Sequence, residues 1–297
     1  MAGFDPQFVM AAFDPQFLWN GLVVGSIIAV AALGLTLIFG ILNFINIAYG
    51  DYMAVGAYFA FAANTQYDLP IVVAALIGMV VMAVGALVVD KLVFERFRSR
   101  SAIVLLVVSI GVAFVLRNLI RIVWGTGSRR FSGPIEAAPQ FFGIRVLPDQ
   151  VAIVVISVAI LGGTYLLLRR TRIGIAMRAA SDDTDLARIR GIDTERLVTY
   201  VWLVGGAIAG IAGILLGLDA QIRPNMGFTA LIPIFAAVIL GGIGDPIGAV
   251  AGGYAIGITQ ELSVVVIPTE YKPAIGLLLL IIGLLSKPEG IFGEATR

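Results

Sequence analysis

The charged residues of this chain are separated by long apolar runs, and this spacing constrains the fold more than any other feature. No charged residue lies between Asp14 and Asp51, or between Asp68 and Asp90. A helix needs about 20 apolar residues to cross roughly 30 Å of hydrocarbon. The chain is 59% hydrophobic and 13% charged, whereas soluble domains are about 25% charged. The sequence therefore predicts an all-α polytopic bundle of about eight to ten transmembrane helices, some short or broken.

Nine helical runs follow from this spacing. Tyr52–Tyr67 is shorter than a full span, so it is either a tilted span or a half-helix that lines a cavity. The predicted runs are Phe17–Leu42, Tyr52–Tyr67, Leu69–Val89, Ser101–Trp124, Gln150–Leu168, Leu197–Leu218, Phe228–Gly241, Ile247–Ile267 and Pro273–Ser286.

Basic residues indicate the orientation of the bundle. Residues 90–100 hold four of them and residues 169–196 hold seven, and cytoplasmic loops carry the excess of Lys and Arg. Both segments are therefore predicted to be cytoplasmic, and the Pro- and Gly-rich loop at about residues 125–149 is predicted to be external. Extrapolation places the N-terminus outside the cell and the C-terminus, beyond Lys287, in the cytoplasm. The predicted location is the plasma or inner membrane.

The N-terminus contains a duplication: MAGFDPQF at residues 1–8 is repeated as MAAFDPQF at residues 10–17. The segment carries two Asp and no basic residue, unlike a secretory signal, so cleavage is not expected. We predict an exposed leader over residues 1–16 and a single transmembrane domain over residues 17–297.

The residue types that are missing exclude several functions. The chain has no Cys and no His, and none of its three Lys follows a Gly. Thiolate and imidazole metal sites, Cys nucleophiles and a phosphate-binding P-loop are therefore absent. No catalytic residue, metal site or cofactor site is predicted, and any ATP–Mg would be bound by a partner chain. The net charge of +1 gives no reason to expect nucleic acid as a partner.

Glycines recur at a spacing of four residues in the last third of the chain. This spacing allows close backbone approach between membrane helices, where little hydrophobic force holds them together. The pairs are Gly206/Gly210, Gly213/Gly217, Gly248/Gly252 and Gly253/Gly257.

The cytoplasmic segment at about residues 169–196 is dense in charge and contains short helices. Its central part reads RIGIAMRAASDDTDLARIRGIDTERL. Asp182 or Asp183 can cap a short helix that ends before Gly191, and Asp193 can cap the next long helix.

This segment carries more than a topology signal. Positive charge alone orients a loop, and acids contribute little, yet the segment holds five acidic residues. Leu186 and Ile189, three apart, form a small apolar contact among charged residues. This arrangement is expected of a coupling helix that docks on another protein.

Three blocks of the sequence resemble the ABC-type branched-chain amino acid permeases. Gly21–Phe61 is similar to their opening, Arg172–Leu197 to their central cytoplasmic segment and Gly217–Glu261 to their final third. The resemblance extends from about residue 21 to residue 287 in the right order, while the leader lies outside it and residues 125–148 match weakly.

The resemblance implies a transport subunit, not an enzyme. Its implied partners are a second related permease, two cytoplasmic ATPases and an external solute-binding protein, with a small amino acid as cargo in a lipid membrane. The Glu-Ala-Ala loop of other importers has a Gly four residues after its second Ala. It is not reproduced here, because the first Gly after Ala179-Ala180 is Gly191. The residues to which the resemblance gives an ATPase-coupling role are Arg178, Ala179, Asp185, Leu186, Ala187, Arg188, Ile189, Arg190 and Gly191.

Polar residues inside apolar runs are costly unless they face a cavity or a partner. On this basis the candidates for the solute path are Asn43, Asn46, Asp51, Gln260 and Glu261.

A structural explanation competes with this role for each carboxylate. Asp51 can cap a helix start. Glu261 can pair with Arg117 or Arg121, which lie on one helix face near the membrane surface, or its side chain can extend to the outer surface. Asp245, before a proline, fits a turn.

The sequence thus favours a permease of an ATP-driven importer for branched-chain or similar apolar amino acids. Two alternatives remain open. The same family also carries urea, short amides, ribose and nucleosides, and a stand-alone secondary transporter would use Asp51 or Glu261 for a coupling ion.

Overall fold

The computed structural model describes residues 14–132, 139–141, 144–287 and 290–292. Nearly all of the duplicated leader, residues 1–13, therefore lies outside the described residues. The α-helices of the described part are α1 (Pro15–Leu42), α2 (Tyr49–Gln66), α3 (Ile71–Val89), α4 (Ala102–Trp124), α5 (Pro148–Arg170), α6 (Arg172–Asp182), α7 (Thr184–Ile189), α8 (Thr194–Asp219), α9 (Met226–Gly241), α10 (Pro246–Ser263) and α11 (Lys272–Ser286).

Short elements complete the architecture. Helix α3 continues into a π-helical segment, Asp90–Phe94, and a single helical turn, Glu95–Phe97. A 3-10 turn, Thr269–Tyr271, precedes α11. Strands β1 (Gln140–Phe141) and β2 (Ile144–Arg145) pair antiparallel in the Pro- and Gly-rich loop after α4.

The polytopic all-α fold is confirmed. Helices α2, α9 and α10 are shorter or less apolar than a full span, which fits the prediction of short or broken helices. Six helices of the described part are long and apolar enough to cross a membrane: Pro15–Leu42, Ile71–Phe97, Ala102–Trp124, Pro148–Arg170, Thr194–Asp219 and Thr269–Ser286.

Helices α1 and α8 form the centre of the bundle. Most residues of both are buried, with α10 lying along α1 and with α2 and α3 against α8. By contrast, α3, α5 and α11 expose large apolar side chains such as Val72, Val155 and Leu285. Exposed apolar side chains on long helices are expected of a surface that faces lipid.

The two ends of the bundle are chemically different. At one end, Gly40 of α1 lies against Ser181 of α6, and Thr36 Oγ1 accepts a hydrogen bond from Gly244 N (3.1 Å) in the α9–α10 turn. We call residues 172–193 the polar segment and this end the polar-segment end. At the opposite end, Gln16 bonds to the backbone of Arg145.

The glycine spacing serves close helix packing, as predicted. Gly257 and Gly253 of α10 lie directly against Gly25 and Ala29 of α1, with no room for a side chain on either glycine, and Gly213 of α8 contacts the backbone of Met53. Glycine at these positions therefore sets the distance between the central helices.

Substituting Gly257 with alanine is expected to destabilise the bundle by about 1–3 kcal/mol, because the new Cβ overlaps the backbone of Gly25. Thermal unfolding of the purified protein measures this change. Gly111→Ala is the matched control, since Gly111 lies on an exposed face of α4 with nothing within 4 Å of an added Cβ. Equal melting temperatures for the two variants would contradict this role for Gly257.

Candidate functional site

The helical structure is interrupted between α1 and α2, and this break contains two asparagines. Asn43 ends α1 in the left-handed conformation (φ 52°), and its backbone N–H donates to Phe39 O (2.8 Å). Asn46 is fully buried, and its Oδ1 accepts a hydrogen bond from Ala48 N (3.0 Å). The Nδ2 of Asn46 has no hydrogen-bond partner among the described residues. Both asparagines therefore shape the break, and one amide nitrogen remains available inside the protein.

Asp51 forms a buried ion pair with Arg117. Arg117 Nε donates to Asp51 Oδ1 (2.9 Å), and one terminal guanidinium nitrogen, Nη2, donates to Asp51 Oδ2 (2.8 Å). The guanidinium carbon also lies 4.4 Å from the ring centroid of Phe228 on α9. The prediction that Asp51 caps a helix was wrong, since its carboxylate bonds to α4. The side chain of Arg117 is also buried in the bundle.

Glu261 pairs with a different residue from those predicted. Lys272 Nζ donates to Glu261 Oε1 at 2.6 Å, so the predicted pairing with Arg117 or Arg121 was wrong. Lys272 begins α11, and the turn between α10 and α11 returns it to the end of α10. The pair therefore fastens these two helices together at the end opposite the polar segment.

A cavity of about 650 Å³ opens among α1, α8, α9 and α10. We call it the Asp219 cavity. Its polar lining comes mainly from the end of α8 and the following loop, and its apolar lining comes from α1, α8 and α9. The lining residues are Val24, Ile27, Ile28, Ala31, Met53, Arg130, Leu216, Asp219, Ala220, Gln221, Arg223, Asn225, Met226, Thr229, Ala230, Pro233, Ile234, Gln260 and Pro273.

The five predicted path residues are not brought together. Of them, Gln260 lines the Asp219 cavity, whereas Glu261 is held by Lys272. Asn43 and Asn46 lie at the break, and Asp51 is bonded to Arg117.

Sequence reasoning missed Asp219 and Arg223. Both lie where the apolar run of α8 ends, so each resembles an ordinary linker residue. The signal available in the sequence was the polar stretch QIRPN immediately after Asp219 and Ala220.

The polar segment forms two short helices, as predicted. Asp183 Oδ1 accepts hydrogen bonds from Asp185 N (3.0 Å) and Leu186 N (2.9 Å), which caps α7. Gly191 ends the turn in a left-handed conformation (φ 85°), and Asp193 Oδ1 accepts from Arg196 N (3.1 Å) to cap α8. Asp245 likewise caps α10, through Ile247 N and Gly248 N, as expected of a turn residue.

One face of the polar segment is buried and the other is exposed. Ala187 is buried, as are Met177 and Ala180, whereas Leu186 is 50% and Ile189 is 81% exposed. Ala179 is partly buried. The other residues with a predicted coupling role are exposed: Arg178, Asp185, Arg188, Arg190 and Gly191.

Arg98 connects the start of α8 to the end of α3. One of its terminal nitrogens donates to Glu195 Oε2 (2.7 Å), and the other donates to both carboxylate oxygens of Asp90 (3.0 and 2.9 Å). Asp90 is 1% exposed. These ion pairs therefore link the N-terminus of α8, directly after the polar segment, to the end of α3.

Aromatic contacts lie between these ion pairs and the break that precedes α2. Phe94, in the π-helical segment, stacks on Trp202 of α8 with centroids 5.2 Å apart. Trp202 also meets Tyr52 edge-on at 6.3 Å. Tyr52 follows Asp51 in the first turn of α2, so these contacts run from the start of α8 to the start of α2.

A second cavity, of about 500 Å³, lies at the polar-segment end. We call it the Arg178 cavity. It lies between the last turns of α1, the helix α6 and the α9–α10 turn, and its polar lining comes from Thr36, Arg178, Ser181, Asp182 and Asp245.

The family model for the permease component of branched-chain amino acid transport systems matches residues 17–284. The permease protein LivH of Salmonella typhimurium is 31% identical over 93% of this chain and 94% of its own length. BraD of Pseudomonas aeruginosa, also a branched-chain amino acid permease, is 30% identical over the same shares.

Two more distant proteins share the fold or part of the sequence. The ribose import permease RbsC of Escherichia coli is 25% identical over 90% of this chain and 84% of its own length. The structure of PsaBC from Streptococcus pneumoniae in complex with Fab aligns with a TM-score of 0.53, at 13% identity, over 96% of this chain and 97% of that chain. The match over residues 17–284 and the identity to full-length permeases decide the assignment: the chain belongs to the family of permease components of branched-chain amino acid transport systems.

Proposed function

We propose that this chain is the permease subunit of an ATP-driven importer that moves branched-chain amino acids into the cell. Two cytoplasmic ATPases, a second related permease and an external solute-binding protein are its proposed partners. ATP–Mg is bound and hydrolysed by the ATPases, not by this chain. The LivH and BraD proteins, named as branched-chain amino acid permeases, support this solute class, and the weaker similarity to a ribose permease favours ribose less.

The exposed face of α7 is the observation that carries the proposed mechanism. Leu186 and Ile189 project from a helix that is capped by Asp183 and seated on the bundle through Ala187. Exposed apolar side chains ringed by charge suit docking to another protein. ATP-driven movement of the docked ATPases would push this helix against the ends of the membrane helices. In this proposal the polar-segment end is cytoplasmic, the N-terminus lies outside and the C-terminus lies inside the cell.

The two cavities support a path that opens to one side at a time. Four residues of α1 between positions 24 and 31 line the Asp219 cavity, and four between positions 36 and 41 line the Arg178 cavity. About one helical turn of buried α1 lies between the two sets. The Asp219 cavity would receive solute from outside, and the Arg178 cavity would release it. Gln260 belongs to this proposed path, while Asn43, Asn46, Asp51 and Glu261 are proposed to hold the break and the outer end in place.

Co-purification and reconstitution test this function. The full chain, affinity-purified from its native membrane, is expected to bring two ATPases and a second permease with it. In proteoliposomes this complex should accumulate leucine only with ATP and the binding protein. Transport by the chain alone under an ion gradient would favour the secondary transporter instead.

A further inference from the structure

Two side-chain hydrogen bonds orient an exposed arginine in the polar lining of the Asp219 cavity. Arg223 Nε donates to Ser128 Oγ (3.0 Å), and one terminal nitrogen donates to Gln221 Oε1 (2.9 Å). The loop itself is held by paired backbone hydrogen bonds between Arg129 and Ile222 (2.9 and 3.0 Å). The second terminal nitrogen of Arg223 has no hydrogen-bond acceptor among the described residues. A positioned guanidinium with a free donor is suited to a carboxylate.

Asp219 supplies the opposite charge on the same wall. Its carboxylate forms no hydrogen bond or ion pair with a described residue, although it lines the cavity. The nearby cation Lys272 is already bonded to Glu261 at 2.6 Å. The carboxylate of Asp219 is therefore free to accept hydrogen bonds from an ammonium group.

Gln260 adds an amide to the lining. This residue is 5% exposed and lines the cavity, and its side-chain amide makes no hydrogen bond to a described residue. The amide is therefore available to a polar occupant of the cavity.

The rest of the cavity lining is mainly apolar. Aliphatic side chains from α1 and neighbouring helices form this part of the lining, and most of them are buried. They are Val24, Ile27, Ile28, Ala31, Met53, Leu216 and Ile234.

We propose that the Asp219 cavity is a weak binding site for an amino acid zwitterion with an apolar side chain. Arg223, with Arg130 beside it, takes the carboxylate, Asp219 takes the ammonium group, and the aliphatic wall takes the side chain. This inference rests on the proposed import function and adds the chemistry of recognition within the permease itself. Ribose and urea carry no pair of opposite charges, so they would leave Asp219 and Arg223 without partners.

Four probes test the proposal by saturation-transfer NMR on the membrane complex in lipid nanodiscs, without the external binding protein. The probes are L-leucine, 3-methylbutylamine (no carboxylate), 4-methylpentanoate (no ammonium) and D-ribose. Leucine should bind best. Asp219→Asn should reduce the preference for leucine over 4-methylpentanoate by about tenfold, and Arg223→Gln should reduce the preference over 3-methylbutylamine by about tenfold, as expected for one charge-assisted hydrogen bond.

Matched variants separate recognition from folding. Asp219→Glu and Arg223→Lys keep the charge and should retain most of the preference. Asp149→Asn and Arg145→Gln change exposed charges at the same end of the bundle, outside the cavity lining, and should have no effect. Equal binding of all four probes, or the same preferences in Asp219→Asn and Arg223→Gln as in these controls, would overturn the proposal.

ATP-driven leucine uptake by the wild-type complex, with the binding protein added, separates this inference from the proposed function. ATP-driven uptake by the wild type, together with unchanged probe preferences in the cavity variants, would contradict the proposed cavity site and support the import function. The expected probe preferences without any ATP-driven uptake would support the cavity site and contradict the import function.

Discussion

Replacing Arg117 with methionine is expected to lower the free energy of unfolding by about 3–5 kcal/mol, the cost of leaving one member of a buried ion pair alone. Asp51 is 0% exposed, and both of its carboxylate oxygens accept hydrogen bonds from Arg117. Without this partner the carboxylate stays charged inside a membrane bundle, where ionised groups are costly, or it must bind a proton. The break before α2 would then lose its anchor to α4.

Thermal unfolding of the purified protein measures this effect, and two further variants control it. Arg121→Met removes an exposed arginine one turn along α4, whose contact is a long hydrogen bond to Asn118 (3.4 Å), and should change stability by less than about 0.5 kcal/mol. Adding Asp51→Asn to Arg117→Met should recover much of the loss, since no unpaired charge remains. If Arg117→Met melted like Arg121→Met, the ion pair would have no structural role.

Placing aspartate at both Leu186 and Ile189 is expected to abolish ATP-driven uptake while the protein still folds and inserts. Burying one such side chain at an interface contributes about 1.5–3 kcal/mol, so losing both would weaken docking of the ATPase by at least about a hundredfold. The stability of the bundle should hardly change, because both side chains project away from it.

The measurement is the ratio of leucine imported to ATP hydrolysed in proteoliposomes. Leu186→Met with Ile189→Leu preserves the apolar contact and serves as the matched control, with a ratio close to that of the wild type. A normal ratio in the aspartate variant would remove α7 from the coupling mechanism.

The features that the sequence predicted well are local ones. Asp183 and Asp193 cap the helices that follow them because an N-cap carboxylate reaches only two or three residues along the chain. The glycine pairs of α10 mark close helix contacts because a spacing of four places both members of a pair on one face: Gly248/Gly252 pack on α9 and Gly253/Gly257 pack on α1. The exposure of Leu186 and Ile189 likewise follows from a short apolar pair in a polar helix.

The features that sequence reasoning missed depend on which helices become neighbours. Asp51 and Arg117 are 66 residues apart, and nothing in their local sequence identifies them as partners. For Glu261 the sequence offers several candidate cations. The turn into α11 brings Lys272, rather than Arg117 or Arg121, to its carboxylate. The Asp219 cavity combines α1, α8, α9 and α10, so its polar wall becomes recognisable as a site only after the helices are assembled.

Cross-linking from a single cysteine tests the central proposal, ATPase docking on α7, most directly. The chain contains no cysteine, so Ile189→Cys introduces a unique thiol on the exposed face of α7. In the native membrane this thiol should cross-link to a co-purifying ATPase through a short thiol-to-amine reagent, with a yield that changes when ATP is added. Thr65→Cys, exposed at the opposite end of the bundle, should give no such product. Labelling of Ile189→Cys by a membrane-impermeant maleimide added outside intact cells, with no cross-link to an ATPase, would contradict the proposal.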